Sequence, residues 1–164
     1  MIVYHGGLEE VRSPELRIGE NVGDFGHGFY VTSSRDQAAR FVKTKAHREQ
    51  RTSGFVSIYE LDDRLFSDEF SGLRFQGPTR EWAKFVSANR RRQSFDHDYD
   101  YVSGPVANDQ VYATFSFYEG GLISFEMLIE QLKVRKLFDQ ILLHTEKAIK
   151  LLKFVESEKI SWAK

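Results

Sequence analysis

The sequence predicts a single α+β domain, and the kind and order of its segments indicate this class. Roughly seven strand-like and four helix-like segments follow one another with hairpin-like returns instead of a regular βαβ alternation. At 164 residues the chain can bury one sizeable core without disulfides or metals. It contains no internal repeat, linker or low-complexity tract. We therefore expect one domain spanning residues 1–164.

The central segment, residues 23–41, predicts a glycine turn, a strand and a helix in that order. Three glycines precede a run of aromatic and β-branched residues that begins at Phe29, which favours a half-buried strand. Ser34 and Gln37 fit a capping box, so we expect a helix that begins near Arg35. Because the glycines precede a strand instead of opening a helix, the pattern argues against a Rossmann nucleotide-binding turn. The expected apolar face of this helix comprises Ala38, Ala39, Phe41, Val42 and Ala46.

The other elements follow from alternation, capping residues and turn signals. The segment from Phe55 to Leu61 is apolar on both sides for part of its length, which predicts a strand in the middle of a sheet. Helices are expected after Pro78, Ser124 and Thr145, because these residue types suit a helix start. Residues 96–109 are expected to form a polar loop and a turn-rich segment. Further strands are expected at residues 2–4, 111–117, 138–143 and 154–160.

Composition restricts the function without choosing it. The formal net charge of -1 provides no overall basic field for a nucleic-acid backbone, and the absence of cysteine excludes disulfides, thiolate metal sites and cysteine nucleophiles. Residues 96–100 alternate aspartates like the start of a calcium loop, but Ala107 takes the place of the bidentate glutamate, so we expect no metal. The chain shows no signal-like start and no apolar run of membrane-spanning length. We therefore expect a cytoplasmic protein without a membrane partner.

Four short motifs form an ordered set along the chain. They are His5-Gly6 at the end of the first strand, Gly28-Phe29-Tyr30 at the start of the second, Phe41 eleven positions after Tyr30, and Asp139-Gln140. This set resembles the ADP-ribosyltransferase superfamily, in the branch with a His-Tyr-Glu triad that includes diphtheria-type toxins and poly(ADP-ribose) polymerases. The chain also resembles a family of small bacterial proteins of unknown function, in which phrases similar to residues 24–30, 104–109 and 139–140 occur.

The resemblance implies a split β-sheet core flanked by helices, with a site for NAD as a co-substrate. His5 would bond the 2′-hydroxyl of the adenine-side ribose, and the Gly6 backbone would hold the nicotinamide carboxamide. Tyr30 and Phe41 would stack on opposite faces of the nicotinamide ring, an attraction on the order of 1–2 kcal/mol for each face. Gln140 takes the position of the catalytic glutamate, so the implied catalytic residues are His5, Tyr30 and Gln140.

Gln140 is the main departure from the pattern of that superfamily. A glutamate here stabilises the oxocarbenium-like ribose by its charge and by a bond to the 2″-hydroxyl, and it also activates the acceptor. Glutamine keeps the hydrogen bond but supplies neither the charge nor the base. Transfer then requires an acceptor that is already nucleophilic, or a base such as Asp109 or Asp139. Strand alternation weakens the case for Asp139, because neighbouring residues face opposite sides of a sheet.

The resemblance implies an NAD-dependent mono-ADP-ribosyltransferase that acts on a macromolecular acceptor, either a protein or a nucleic acid. In a small bacterial protein it further implies an intracellular toxin with a small antitoxin partner. A non-catalytic module of the same fold that binds NAD or ADP-ribose is an alternative, and Gln140 favours it. An RNA 2′-phosphotransferase is a weaker alternative that would use basic residues on phosphate, namely Arg12, Arg17 and Arg40.

The acceptor of such a transferase is chosen by surface loops on a rigid scaffold. Two irregular segments, residues 65–77 and 92–109, are therefore the expected acceptor segments. A protein side chain, a nucleic-acid base, an RNA end and water are all compatible with one NAD pocket, so the sequence leaves the acceptor class open.

Overall fold

The protein has an α+β fold, as the sequence predicts. A computed structural model describes residues 1–16, 23–90, 96–134 and 137–163. Within these ranges, strands and helices are interspersed without a regular alternation. Their order is β1 (Ile2–Gly7), β2 (Phe29–Val31), α1 (Arg35–Arg48), β3 (Ser53–Leu61), a 3₁₀ helix (Asp63–Phe66), β4 (Gly72–Arg74), α2 (Arg80–Arg90), β5 (Tyr101–Pro105), α3 (Asp109–Glu119), α4 (Phe125–Lys133), β6 (Asp139–Leu143), α5 (Glu146–Ile149) and β7 (Leu152–Ser161).

The strands form two sheets that meet at a single bridge. The first sheet has the order β1-β3-β7, and the second has the order β2-β6-β5-β4. All neighbouring strands are antiparallel except β4 and β5, which are parallel. An antiparallel bridge between Tyr4 and Thr32 joins the edge strand β1 of the first sheet to the edge strand β2 of the second. The two sheets are therefore halves of one surface that is split between β1 and β2.

Each sheet has an inner face, which packs in a core that both sheets share, and an outer face covered by helices. The shared core includes Val3 and Tyr59 of the first sheet together with Phe29 and Leu143 of the second. On the outer face, α1 covers β1 and β3, and α2, α3 and α4 cover the second sheet around the buried Trp82. Residues opposite each other in an antiparallel pair face the same side, so the outer faces of the two sheets are continuous across the split.

Several predicted elements are confirmed because local capping signals fix them. Helix α1 begins at Arg35, and the Ser34 hydroxyl accepts a hydrogen bond from the Gln37 N–H at 3.2 Å. Ser124 and Thr145 cap α4 and α5 in the same way. Strand β3 lies in the middle of its sheet, as its two-sided apolar pattern predicts. Within the described ranges, no helix has the length and apolar character that spanning a bilayer requires.

The predicted strand at residues 111–117 is wrong, because this segment lies in helix α3. The Asn108 side-chain oxygen accepts a hydrogen bond from the Val111 N–H at 3.0 Å and caps the helix. Val111 and Phe115 lie four residues apart on one helical face and are fully buried. The β-branched and aromatic residues of this segment favour strands only weakly, so the cap and the packing decide its structure. The preceding segment, expected to be a loop and a turn, contains strand β5.

Loss of the Asn108 cap is expected to destabilise the protein. Asn108→Ala removes the only side-chain acceptor for the first turn of α3 seen among the described residues, and we expect a loss of about 1 kcal/mol in the free energy of unfolding. Urea denaturation followed by circular dichroism measures this loss. Asn108→Asp retains an oxygen acceptor and is the matched control. Equal stability of Asn108→Ala and wild type would contradict the capping role.

Candidate functional site

The split between β1 and β2 is held open by a side chain instead of being closed by the backbone. Tyr4 donates to the Thr32 carbonyl at 2.8 Å and accepts from the Thr32 N–H at 2.9 Å. In this antiparallel register the next hydrogen-bonded pair would be Gly6 and Tyr30. That pair does not form, because His5 Nδ1 bonds the Tyr30 carbonyl at 2.7 Å. The imidazole therefore takes the place of the Gly6 N–H.

The Gly6 peptide groups consequently face the split without a partner. Met1 and Leu61 exchange two backbone hydrogen bonds at 2.8 and 2.9 Å, which makes the odd-numbered residues of β1 the ones that bond β3. The N–H and C=O of Gly6 point the other way, towards β2. Across the described parts of the chain, neither group makes a hydrogen bond. Gly6 therefore presents one backbone donor and one backbone acceptor to the split.

Helix α1 explains why residue 6 is glycine. A Cβ at this position would lie 2.4 Å from the Ala38 carbonyl oxygen and 2.9 Å from Val42 Cγ2. The glycine therefore allows α1 to pack directly on the outer face of β1. Our interpretation of Gly6 from the sequence considered only the approach of a ligand, whereas the crowding at its Cβ comes from the helix.

His5 presents a free nitrogen beside the split. Its ring stacks on Phe29, with the centroids 4.2 Å apart and the planes at 23°. Because Nδ1 faces a carbonyl, it carries the proton in the neutral ring, and Nε2 carries a lone pair. Burial lowers the pKa of His5, which outweighs the opposing effect of the bond to Tyr30, and the charge of Lys45 lowers it further. A Cβ on Gly7 would lie 3.5 Å from Nε2, so glycine there leaves room beside this acceptor.

The His5 imidazole is expected to titrate below its ordinary value of about 6.5. A histidine whose pKa is lowered in the folded state stabilises the fold above the unfolded pKa, and this contribution is lost as the pH falls through the folded pKa. Long-range ¹H–¹⁵N spectra recorded between pH 8 and pH 5 measure the titration and the tautomer. Titration of His5 at or above its ordinary value of about 6.5 would contradict the burial of its ring.

The Tyr30 side chain lies on the outer face beneath the glycine turn. Its hydroxyl donates to the Gly26 carbonyl at 2.6 Å and accepts from the Phe25 N–H at 3.0 Å. A Cβ on Gly23 would come within 2.5 Å of the ring, so the turn closes directly over it. Burial raises the pKa of Tyr30, and the nearby Asp24 carboxylate acts in the same direction. The phenol therefore remains protonated, and its ring is held rigidly.

Phe41 is not part of the buried face of α1, in contrast to the expectation from the sequence. Its side chain is 51% exposed, whereas Ala38 and Val42 are buried. The Arg40 guanidinium lies over the Phe138 ring at 5.4 Å, so that side of α1 faces the second sheet. Successive residues of an α-helix are rotated by about 100° around its axis, so Phe41 lies between Arg40 and the buried face formed by Ala38 and Val42. Phe41 therefore lies on an exposed side of α1, and its stacking opposite Tyr30 stays a prediction.

Gln140 lies on the outer face of β6, on the same side as Tyr30. Its Nε2 donates to Asp24 Oδ2 at 2.8 Å and to the Pro105 carbonyl at 3.3 Å. Asp139 faces the opposite side, where its carboxylate accepts from the N–H of Ser33 at 3.1 Å and from the Ser33 hydroxyl. The alternation predicted for these two residues is confirmed. The side chain of Asp109, the other predicted base, lies outside the described residues.

Asp24 is a residue of the candidate site that the sequence reasoning missed. Its side chain is only 5% exposed, and besides Gln140 it accepts hydrogen bonds from the Ala107 N–H at 2.9 Å and from the Tyr112 hydroxyl. Through Ala107 and Gln140, Asp24 connects the three sequence segments at residues 24–30, 104–109 and 139–140 on which the family resemblance rests. An acidic residue between glycines just before a strand was the available signal.

A cavity of about 480 Å³ opens beside Gln140 at the ends of the strands of the second sheet. Both predicted acceptor segments contribute to its wall, through Phe66 and Arg74 on one side and Gly104 on the other. Arg74 lies over the Phe66 ring at 4.7 Å, which places a cation at this cavity. The loop segments and the candidate catalytic position therefore meet in one place.

The arginines considered for a phosphotransferase do not converge where the structure describes them. Arg12 pairs with Glu10 at 2.8 Å and lies over the Phe154 ring, whereas Arg40 lies over Phe138. Arg17 is outside the described residues. Among the residues that are described, no group of three or more histidine, aspartate or glutamate side chains could hold a metal ion. Asp100, in the calcium-like segment, accepts from the Ser71 N–H at 2.8 Å.

The fold and site define an α+β protein whose split sheet exposes a backbone donor and acceptor beside a neutral histidine. The model of one family, described as protein of unknown function (DUF3990), matches residues 1–154. The chain belongs to this family. No curated protein and no solved structure matches the chain significantly.

Proposed function

We propose that the protein binds NAD in the split between β1 and β2 and transfers ADP-ribose to a macromolecular acceptor. The observation that carries this proposal is the unpaired N–H and C=O of Gly6. A carboxamide has one acceptor and one donor side by side, so it can satisfy both groups at once. Nicotinamide presents such a carboxamide on a flat aromatic ring, which the aromatic residues of the resemblance would contact.

Side chains near Gly6 are proposed to bind the ribose and the nicotinamide ring of NAD. The neutral His5 Nε2 accepts a hydrogen bond from a ribose hydroxyl, because Nδ1 is already committed to Tyr30. Tyr30 and the exposed Phe41 are the aromatic side chains proposed to contact the nicotinamide ring, and Tyr30 would do so with the part of its ring that the glycine turn leaves uncovered. His5 reaches the split from the inner face, and Gln140 lies on the outer face of β6, the strand next to β2.

NAD supplies a glycosidic bond whose electron pair leaves with nicotinamide, and the ribose carbon then bonds the acceptor. Gln140 Oε1 faces away from the two acceptors that hold its amide nitrogen, so it can accept a hydrogen bond from the ribose 2″-hydroxyl. Asp139 also lines the cavity, but both of its carboxylate oxygens already accept hydrogen bonds from Ser33, which argues against it as the base. The proposal therefore assigns an acceptor atom with a free lone pair, such as a ring nitrogen, which bonds the ribose carbon as nicotinamide leaves. The acceptor group then loses a proton from another of its N–H groups to water.

The acceptor is proposed to approach Gln140 through the cavity of about 480 Å³. Its walls come from both predicted acceptor segments, and a volume of this size holds a side chain or a nucleotide end but not a folded domain. The macromolecule would therefore insert one exposed group and remain outside.

A binding module without transferase activity is the second candidate. The observation that favours it is the neutral Gln140 amide, which stands where the resemblance places a catalytic carboxylate. In this reading Gly6 and His5 recognise NAD or ADP-ribose as proposed, and the ligand is released unchanged.

Incubation of the purified protein with adenylate-labelled NAD and a cell lysate tests the proposed function. Protein, nucleic acid and free ADP-ribose are separated and counted individually. We expect label in one macromolecular fraction, which also names the acceptor class. Saturable NAD binding without any turnover would instead establish the binding module. Label found only in free ADP-ribose would contradict transfer to a macromolecule.

A further inference from the structure

We propose that Asp24 is the positioning residue of this site, because it fixes the orientation of the Gln140 amide and supplies the negative charge that residue 140 lacks. This inference rests on the proposed function. In this arrangement Asp24, in the glycine turn before β2, provides the carboxylate of the site. The neutral Gln140 on β6 makes the contact with the ribose.

The orientation of Gln140 follows from its neighbours. Asp24 Oδ2 and the Pro105 carbonyl both accept hydrogen bonds and lie 2.8 and 3.3 Å from the amide nitrogen. Two acceptors on one side require the NH₂ group there, which turns Oε1 to the other side. Oε1 makes no hydrogen bond within the described parts of the chain and is not sealed from solvent. Oε1 is therefore a free acceptor on the outer face of β6, where the proposed function gives it the ribose hydroxyl as its partner.

The carboxylate of Asp24 is itself held firmly. The Ala107 N–H and the Tyr112 hydroxyl donate to it, so its position does not depend on Gln140 alone. Because Asp24 is almost fully buried, its charge is weakly screened and acts strongly on groups nearby. A hydrogen bond from an amide to a carboxylate polarises the amide and makes its oxygen a better acceptor. Gln140 thus relays part of the charge of Asp24 to Oε1.

This arrangement separates two tasks that one glutamate would perform. Oε1 of Gln140 makes the contact, and Asp24 provides the charge behind it at one hydrogen-bond length. Positive charge that develops on the ribose during bond cleavage would be stabilised by both, with Asp24 acting at longer range.

Two substitutions at Asp24 distinguish its charge from its shape. Asp24→Asn keeps an oxygen for the Ala107 N–H and the Gln140 amide, and its NH₂ group can donate to the Tyr112 hydroxyl, so the geometry is retained and only the charge is lost. Asp24→Ala removes both. Asp36→Asn is the matched control, since Asp36 is exposed in the first turn of α1. Rates of label transfer from NAD give kcat and KM for each variant.

We expect Asp24→Asn to lower kcat about tenfold or more with KM for NAD changed less than about twofold, and Asp24→Ala to be at least as impaired. Wild-type kcat in a folded Asp24→Asn variant would overturn the inference, because a purely structural Asp24 tolerates the isosteric change.

Hydrogen exchange of the Gln140 side-chain amide provides a readout that needs no turnover. We expect its NH₂ protons to exchange more slowly than those of the exposed Gln50 in wild type, and faster in Asp24→Ala. Equal exchange at Gln140 and Gln50 would overturn the positioning role whether or not the protein uses NAD. Protection of Gln140 in a protein that neither binds nor turns over NAD would reject the proposed function and retain the positioning role.

Discussion

His5→Ala is expected to weaken NAD binding by roughly tenfold to a hundredfold, which corresponds to about 1–3 kcal/mol. The substitution removes the Nε2 acceptor proposed for the ribose. It also frees the Tyr30 carbonyl, which the His5 Nδ1 group occupies at 2.7 Å. The Gly6 N–H can then bond that carbonyl as an ordinary antiparallel pair, which removes the proposed donor to the carboxamide. One substitution therefore affects two parts of the NAD site.

Titration calorimetry with NAD measures the change in affinity, and His47→Ala is the control because this histidine is exposed on α1. Amide exchange of Gly6 tests the second part of the argument independently, since closure of the split should protect the Gly6 N–H in His5→Ala. Wild-type affinity in a folded His5→Ala variant would contradict the assignment of His5 to the NAD site.

Gln140→Glu is expected to destabilise the protein at neutral pH and to gain no activity, although it introduces the residue typical of the His-Tyr-Glu branch. The new carboxylate would face Asp24 Oδ2 and the Pro105 carbonyl, the two acceptors that now hold the Gln140 amide. Two carboxylates in contact raise the pKa of the pair, and the lost hydrogen bond adds to the penalty. We expect a loss of about 1–3 kcal/mol in the free energy of unfolding.

The sign of the pH dependence follows from the raised pKa. The glutamate introduced at position 140 would have a folded pKa above its unfolded value of about 4.3. Below a pH of about 4.3 it is protonated in both states and does not oppose folding, whereas the stability that depends on its protonated form is lost as the pH rises through the folded pKa. Urea denaturation should therefore show a larger deficit for Gln140→Glu at pH 8 than at pH 5.

The double variant Asp24→Asn/Gln140→Glu separates charge from geometry. Removal of the Asp24 charge should recover part of the stability at pH 8, but not all of it, because the Ala107 N–H still needs an acceptor at the same place. Full stability of Gln140→Glu alone at pH 8, or a gain of transfer activity in it, would contradict the arrangement of Asp24 and Gln140.

The parts of the fold that the sequence predicts correctly are those fixed by local signals. Ser34, Ser124 and Thr145 cap helices where the sequence indicates, because a cap depends on only a few neighbouring residues. Helix α3 was misassigned because its residues favour strands, while the burial of Val111 and Phe115 depends on partners far along the chain. Propensity is a weak guide when long-range packing decides.

The candidate site shows the same division between local and long-range information. His5, Gly6, Tyr30 and Gln140 are found from motifs, and the structure places the first three at the split. The free peptide groups of Gly6 depend on the register of β1 against both β3 and β2, which no local pattern specifies. Asp24 was missed for a related reason, since its role depends on Ala107 and Gln140, which are distant in sequence.

The central claim is that the Gly6 peptide holds a carboxamide in the split, and a comparison of two ligands tests it most directly. NAD and its deamido analogue differ only in that the carboxamide is replaced by a carboxylate, which has no donor for the Gly6 carbonyl and carries a charge that this carbonyl repels. Titration of ¹⁵N-labelled protein with each ligand follows affinity and the Gly6 amide together. We expect NAD to bind and shift the Gly6 resonance, and the analogue to bind at least about tenfold more weakly. Equal binding of the two ligands, or NAD binding that leaves the Gly6 amide unchanged, would contradict the account.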